Sequence, residues 1–167
     1  MFPEARSAKK GEVNNPISHP NQEKQRPTAF PYRVVLADDD VLYRRVLRDI
    51  LEGGQNLEVA GEAGDGLELL SLLGSFPSSP QMAIVDISMP NLGGIEATAA
   101  VKKTHPGMKI LIVSIHREKE YVREALSAGA DGYLLKEDVD KELFSAIEKI
   151  QGGGVYVSPL LMGAVGV

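Results

Sequence analysis

Three consecutive aspartates, Asp38-Asp39-Asp40, follow directly on the apolar run Arg33-Val34-Val35-Leu36-Ala37. A further acid, Asp86, closes another apolar run, Met82-Ala83-Ile84-Val85. The hydroxyl of Ser114 follows Lys109–Val113, and the ammonium of Lys136 follows Gly132–Leu135. Carboxylates gathered at one point repel one another, so such a cluster needs a cation or a shared proton. With no Cys or His among them the donors are oxygens, which favour a hard ion such as Mg2+. That ion keeps several waters and needs only two or three protein oxygens. Beside it, an ammonium and a hydroxyl make a place for a transferring phosphoryl group, with the Asp86 carboxylate as nucleophile and Lys136 on the equatorial oxygens. Taken singly, each residue has an ordinary explanation. Acids suit helix N-termini, Asp86 can simply end a strand, Ser114 alone says little, and Lys136-Glu137 can be a surface pair. Only their joint placement carries the chemistry, and placement depends on the elements that hold them.

Those elements alternate. Arg33–Ala37 reads as a buried strand, and Val41, Leu42, Val46, Leu47, Ile50 and Leu51 then recur at helical spacing until Gly53-Gly54. Leu57–Ala60 reads as a second strand and Leu67–Leu73 as a helix, with Asp65 its N-cap. Met82–Val85 and Gly94–Lys103, Lys109–Val113 and Glu118–Ala128, and Gly132–Leu135 and Val139–Gln151 repeat the pattern. Five strand–helix units with apolar strands predict an α/β fold, a doubly wound parallel sheet covered by helices on both faces. In such sheets ligands bind at the carboxyl ends of the strands. Asp38 and Asp39, Asp86, Ser114 and Lys136 all fall there, whereas the second strand offers only Glu62 at the edge of the sheet.

Bulk properties set limits. The 167 residues suit one domain with tails, and 43% hydrophobic with 25% charged residues fits a globular chain. A net charge of -5 argues against a large basic nucleic-acid surface. The absence of cysteine rules out disulfides, thiolate zinc sites and cysteine nucleophiles. No apolar run approaches a membrane span, and the polar N-terminus is not a secretory signal. His19, His105 and His116 are scattered and read as surface or loop residues. Residues 1–31 read as a flexible tail, since Asn14–Pro31 holds four prolines and no apolar period. Residues 32–152 form the domain, and residues 153–167 read as a linker-like C-terminal tail.

The motifs Val34-Val35-Leu36-Ala37-Asp38-Asp39-Asp40, Ile84-Val85-Asp86-Ile87-Ser88-Met89-Pro90, Ile112-Val113-Ser114 and Gly132-Tyr133-Leu134-Leu135-Lys136 resemble the receiver domains of two-component response regulators. The resemblance covers about residues 32–152 and implies a flavodoxin-like (βα)5 fold with strand order 2-1-3-4-5. It implies that Asp86 is the phosphoacceptor, that Asp39 binds Mg2+ directly and Asp38 mainly through water, and that the backbone carbonyl of Ser88 is a third protein ligand. It further implies that Lys136 pairs with the acceptor and then the phosphoryl group, that Ser114 hydrogen-bonds that group after transfer, and that Tyr133 is the switch aromatic. Pro90 and Gly94 match the loop after the acceptor. The implied partner is a sensor histidine kinase, the implied setting the cytoplasm, and the implied outcome a phosphorylation-controlled change in partner binding, with homodimer formation and transcriptional control as outputs. The chain would not be a turnover enzyme; it would catalyse only its own phosphorylation and dephosphorylation.

Asp86–Pro90, Ala128–Lys136 and Gly152–Pro159 are most similar to the NarL/FixJ (LuxR-type) subfamily, whose members usually continue into a helix-turn-helix domain. Here Leu160–Val167 are too short for one, so the expectation is a chain truncated at the linker or a stand-alone receiver, with no direct nucleic-acid binding of its own. Asp40 stands where the subfamily often carries His, and Asn91-Leu92-Gly93 varies the loop. Three competing readings remain. An aspartyl phosphatase would carry a second acid two residues past its nucleophile, where this chain has Ser88. A receiver-shaped interaction domain would not need the full acidic and basic set. A nucleotide-binding loop at Gly61–Gly66 has the wrong glycine spacing and follows the second strand.

Overall fold

The computed structural model describes residues 30–54 and 56–165. Most of the expected tail, residues 1–29, therefore lies outside the described residues. Six parallel strands form one sheet: β1 (Tyr32–Ala37), β2 (Leu57–Ala63), β3 (Met82–Val85), β4 (Lys109–Ser114), β5 (Gly132–Leu135) and β6 (Tyr156–Val157), in the order β2-β1-β3-β4-β5-β6. Between them run α1 (Val41–Glu52), α2 (Gly66–Ser75), α3 (Gly94–Thr104), α4 (Lys119–Ser127) and α5 (Val139–Gln151), with a short α6 (Met162–Val165) at the end.

The apolar strands alternate between two cores because successive side chains point to opposite faces. Val34, Leu36, Met82, Ile84, Leu111, Val113 and Leu134 face α1 and α5, meeting Leu47, Leu51, Leu143 and Ile147. Val35, Ala37, Ala83, Val85, Ile110, Ile112 and Tyr133 face the other way, toward Leu69 and Leu73 of α2, Ala97 and Val101 of α3, and Val122 and Ala125 of α4. Burial on both faces explains why the strands read as continuous apolar runs. Asp65 caps α2 as expected, its Oδ1 accepting from the Glu68 amide at 2.8 Å.

Two expectations are corrected. The sheet has six strands rather than five: the order 2-1-3-4-5 is present, and β6 extends it beyond β5. Tyr156 and Val157, within the stretch read as a linker-like tail, pair with Gly132 and Tyr133. A two-residue strand carries no readable period, and tertiary contacts supply what the local pattern lacks. The buried Ser158 hydroxyl accepts from the Leu135 amide at 2.9 Å, and Leu161 packs into the core that α2, α3 and α4 cover. β2 also runs to Ala63, past the expected Ala60, with a register shift opposite Val34 and Val35.

Candidate functional site

The carboxyl ends of β1, β3, β4 and β5 meet on one edge of the sheet. Asp38 follows β1 and is buried; Asp86 follows β3 and is buried, its amide donating to the Ala37 carbonyl at 2.8 Å. Asp39 is exposed beside them. One oxygen from each of Asp38, Asp39 and Asp86 lies within 4.8 Å of the others. This all-oxygen set matches the ligand chemistry of a hard divalent ion. Asp40, by contrast, serves α1: its Oδ1 accepts from the amides of Leu42 and Tyr43 at 2.9 and 3.0 Å.

Lys136 reaches the cluster from a short 3-10 turn (Lys136–Asp138) after β5. Its Nζ donates to Asp38 Oδ2 at 2.7 Å and lies 3.6 Å from Asp86 Oδ1. The same Nζ sits over the Tyr43 ring, 4.2 Å from the centroid. Burial pushes the Asp86 carboxyl up to about 6; Lys136 opposes that shift and the charge of Asp38 adds to it. Burial thus disfavours the charged form of Asp86, and Lys136 partly offsets it.

Local packing fixes the loop after Asp86. A Cβ on Gly94 would lie 2.0 Å from the Asp86 carbonyl oxygen, so only glycine lets α3 begin so close to the acid. The Gly94 amide donates to Ile87 O at 3.0 Å, and the buried Thr98 hydroxyl donates to Gly94 O at 2.7 Å. Asn91, read from sequence as simple loop variation, adopts φ 62°, and its Nδ2 donates to Asp65 Oδ2 at 2.6 Å. That bond ties the acceptor loop to the start of α2.

Ser114 ends β4 fully buried, its Oγ accepting from the His116 amide at 3.1 Å. It lines a cavity of about 150 Å³ with Ile115, Arg117, Leu135, Lys136 and Glu137. Arg117 and Glu137 pair across its exposed rim at 2.6 Å. Tyr133 lies inward, its ring wholly buried and its hydroxyl donating to His116 O at 2.8 Å. Burial pushes that hydroxyl up to about 12. A larger cleft of about 520 Å³, lined by residues such as Tyr32, Gln81, His105 and Lys109, opens around the strands' amino ends. It lies at the opposite end of the strands from the acidic cluster.

Three residues escaped the sequence reading. His116 is a loop residue, as expected, but its contacts were not legible: its Nε2 lies 2.8 Å from Ser88 Oγ and its ring stacks on Tyr121 at 4.2 Å. Arg44 donates to the backbone carbonyl of Asp38 and pairs with Glu62 at 3.2 Å, so one arginine joins the end of β1 to the edge residue Glu62. Tyr43 touches Lys136 from α1. A lone His, Arg or Tyr carries no signal in the sequence; each matters through a contact with a distant strand or loop.

Comparison with known proteins gives a consistent result. The family described as "Response regulator receiver domain" matches residues 34–148. The transcriptional regulatory protein DegU of Brevibacillus brevis is 35% identical over 127 residues, covering 76% of this chain and 53% of that protein. The response regulator UvrY of Escherichia coli K12 is 33% identical over 125 residues, covering 75% and 56%. The chain spans about half the length of these relatives. The crystal structure of a LuxR-family two-component response regulator from Aurantimonas sp. SI85-9A1 is similar at a TM-score of 0.76 and 31% identity, covering 81% of this chain and 96% of that one. A LuxR-family DNA-binding response regulator from Staphylococcus aureus gives 0.66 and 27%, covering 71% and 98%.

Proposed function

The chain belongs to the response regulator receiver domain family, and from that premise we propose that Asp86 accepts a phosphoryl group in a Mg2+-dependent transfer from a sensor histidine kinase. The observation that carries this reading is the position of Lys136 Nζ, 2.7 Å from Asp38 and 3.6 Å from Asp86, over a cluster whose carboxylate oxygens lie within 4.8 Å of one another.

Asp38, Asp39 and Asp86, with the backbone carbonyl of Ser88, would hold Mg2+. When bound, the ion neutralises the carboxylates and draws charge from the phosphoryl oxygens. The residues do the rest. The Asp86 carboxylate offers a lone pair from a buried position beside the Lys136 ammonium. An Asp86 oxygen forms a bond to phosphorus as the bond from phosphorus to the donor, a histidine nitrogen or a small acyl oxygen, breaks with its electron pair leaving on the donor. Lys136 follows the growing negative charge, and Ser114, fully buried beside it, donates its hydroxyl to a phosphoryl oxygen. That movement takes the Ser114 hydroxyl away from the His116 amide, in the segment whose carbonyl holds Tyr133. The surface made by α4, β5 and α5 thereby changes its affinity for partners, a shift between states of one fold. A second copy of the chain is one such partner, and transcriptional control is the output through a DNA-binding partner or domain.

In this reading the chain is a phosphorylated signalling domain rather than a turnover enzyme, because the position two residues past the nucleophile is Ser88, which lacks an acid's proton-transfer ability. It works in the cytoplasm with its kinase; among the described residues no helix is long and apolar enough to cross a membrane. Intact-mass measurement after incubation with acetyl phosphate and Mg2+ tests the reading. The expected result is one added phosphoryl group, absent without Mg2+ and in Asp86→Asn. No addition to the wild-type protein would refute it.

A further inference from the structure

Lys136 has a neighbour that neither strands nor acidic residues supply. Tyr43, in the first turn of α1, presents its ring face to the Lys136 ammonium at 4.2 Å from the centroid. The ammonium is thus held on three sides: by Asp38 at 2.7 Å, by Asp86 at 3.6 Å, and by an aromatic face. Rings attract cations through their quadrupole, most strongly where water is scarce. Tyr43 is half-buried and packs against the core beneath α1 and α5, so the ring is held by its own surroundings.

The hydroxyl contributes little to this arrangement. It is buried and has no hydrogen-bond partner among the described residues. Burial first, then the charges of Asp38 and Asp86, push it well above the ordinary tyrosine range, so the ring stays neutral. The working part of the side chain is its aromatic face.

Resting on the phosphoryl-transfer reading above, we propose that Tyr43 is a positioning residue for that reaction: its ring face holds the Lys136 ammonium within reach of both Asp38 and Asp86. An aromatic face suits this task for an electrostatic reason. Another carboxylate would hold the lysine as well, but would add charge to a cluster already carrying three acids and compete with the incoming phosphoryl group for the ammonium. The ring attracts the cation without net charge or a fixed hydrogen-bond direction, so Lys136 can turn toward the phosphoryl oxygens and stay supported.

The test uses the full chain with acetyl phosphate and Mg2+, measuring by intact mass the saturated rate of phosphorylation and the half-saturating donor concentration. Tyr43→Phe keeps the face and is expected to stay within about twofold of the wild-type rate. Tyr43→Leu removes the face and is expected to lower the saturated rate about threefold to fivefold, leaving half-saturation unchanged. Phenylalanine analogues carrying increasing numbers of ring fluorines at position 43 drain the quadrupole while preserving shape, and are expected to slow the reaction stepwise. That graded loss separates the contact from a mere effect on folding. A Tyr43→Leu rate equal to wild type, or a flat fluorine series, would overturn the inference while leaving Asp86 as acceptor. Failure of the wild-type protein to take up phosphoryl would overturn the underlying reading, and the inference with it.

Discussion

The hydroxyl of Ser88, in the loop after β3, lies 2.8 Å from Nε2 of His116, in the loop after β4. This contact joins the acceptor loop to the segment that also receives the Tyr133 hydroxyl and stacks on Tyr121 of α4. The two loops are therefore linked at the surface of the site.

That link has a measurable energy. Ser88→Ala, His116→Ala and the double variant form a cycle in urea unfolding, with an expected coupling of about 1 kcal/mol, the net value of one hydrogen bond. Additive single effects would show that the two side chains do not cooperate.

The raised proton affinity of Asp86 makes stability depend on pH. Its folded pKa, about 6, exceeds the ordinary aspartate value of 3.8, so the folded protein holds a proton that the unfolded chain has released. The associated stability is complete below the unfolded pKa and is lost as pH rises through about 6. In Mg2+-free buffer, Asp86→Asn is expected to gain stability relative to wild type between about pH 4 and pH 6 and to hold a constant advantage above that range. Mg2+ should shrink the advantage by stabilising the ionised carboxylate. Denaturation across pH, with and without the ion, reads both effects.

Removing the ammonium should affect metal and acid oppositely. Lys136→Ala leaves Asp38, Asp39 and Asp86 without the cation that now sits among them. The Asp86 pKa should rise further, because Lys136 is the largest influence that lowers it. Mg2+ binding, followed by calorimetry, should tighten by roughly tenfold as a competing positive charge disappears. Phosphorylation by acetyl phosphate should slow despite the tighter ion. Weaker Mg2+ binding in the variant would contradict this electrostatic account.

Gly94 offers a steric test. Its missing Cβ is what lets α3 approach the Asp86 carbonyl. Gly94→Ala should cost about 2–3 kcal/mol of stability through overpacking and should displace the acceptor loop. Chemical denaturation gives the first effect and the rate of acyl-phosphate formation the second.

Ser158 tests the end of the sheet. Its buried hydroxyl satisfies the Leu135 amide, one residue before Lys136. Ser158→Ala leaves that amide unpaired and should cost about 1–3 kcal/mol, measured by thermal or urea unfolding. A neutral substitution would mean that the Ser158 hydroxyl contributes nothing to holding the Lys136 turn.

The amino-acid sequence alone determined the five strand–helix units, the parallel sheet and the acids, hydroxyl and lysine at its carboxyl edge. It could do so because apolar runs and helical periods are local, and because in a parallel sheet every strand's carboxyl end lies on the same side. Asp38, Asp39, Asp86, Ser114 and Lys136 were legible on that ground. Only the tertiary structure decided what surrounds them. Tyr43 meets Lys136, 93 positions away in the sequence, Arg44 meets the Asp38 carbonyl, and His116 meets Ser88. Likewise β6 exists because β5 offers it an edge and Ser158 and Leu161 find buried partners, rather than because Tyr156-Val157 reads as a strand. The physical reason is the same in each case. Chain periodicity encodes which face a residue occupies, whereas a contact between two loops or a helix and a distant turn is set by how the layers pack.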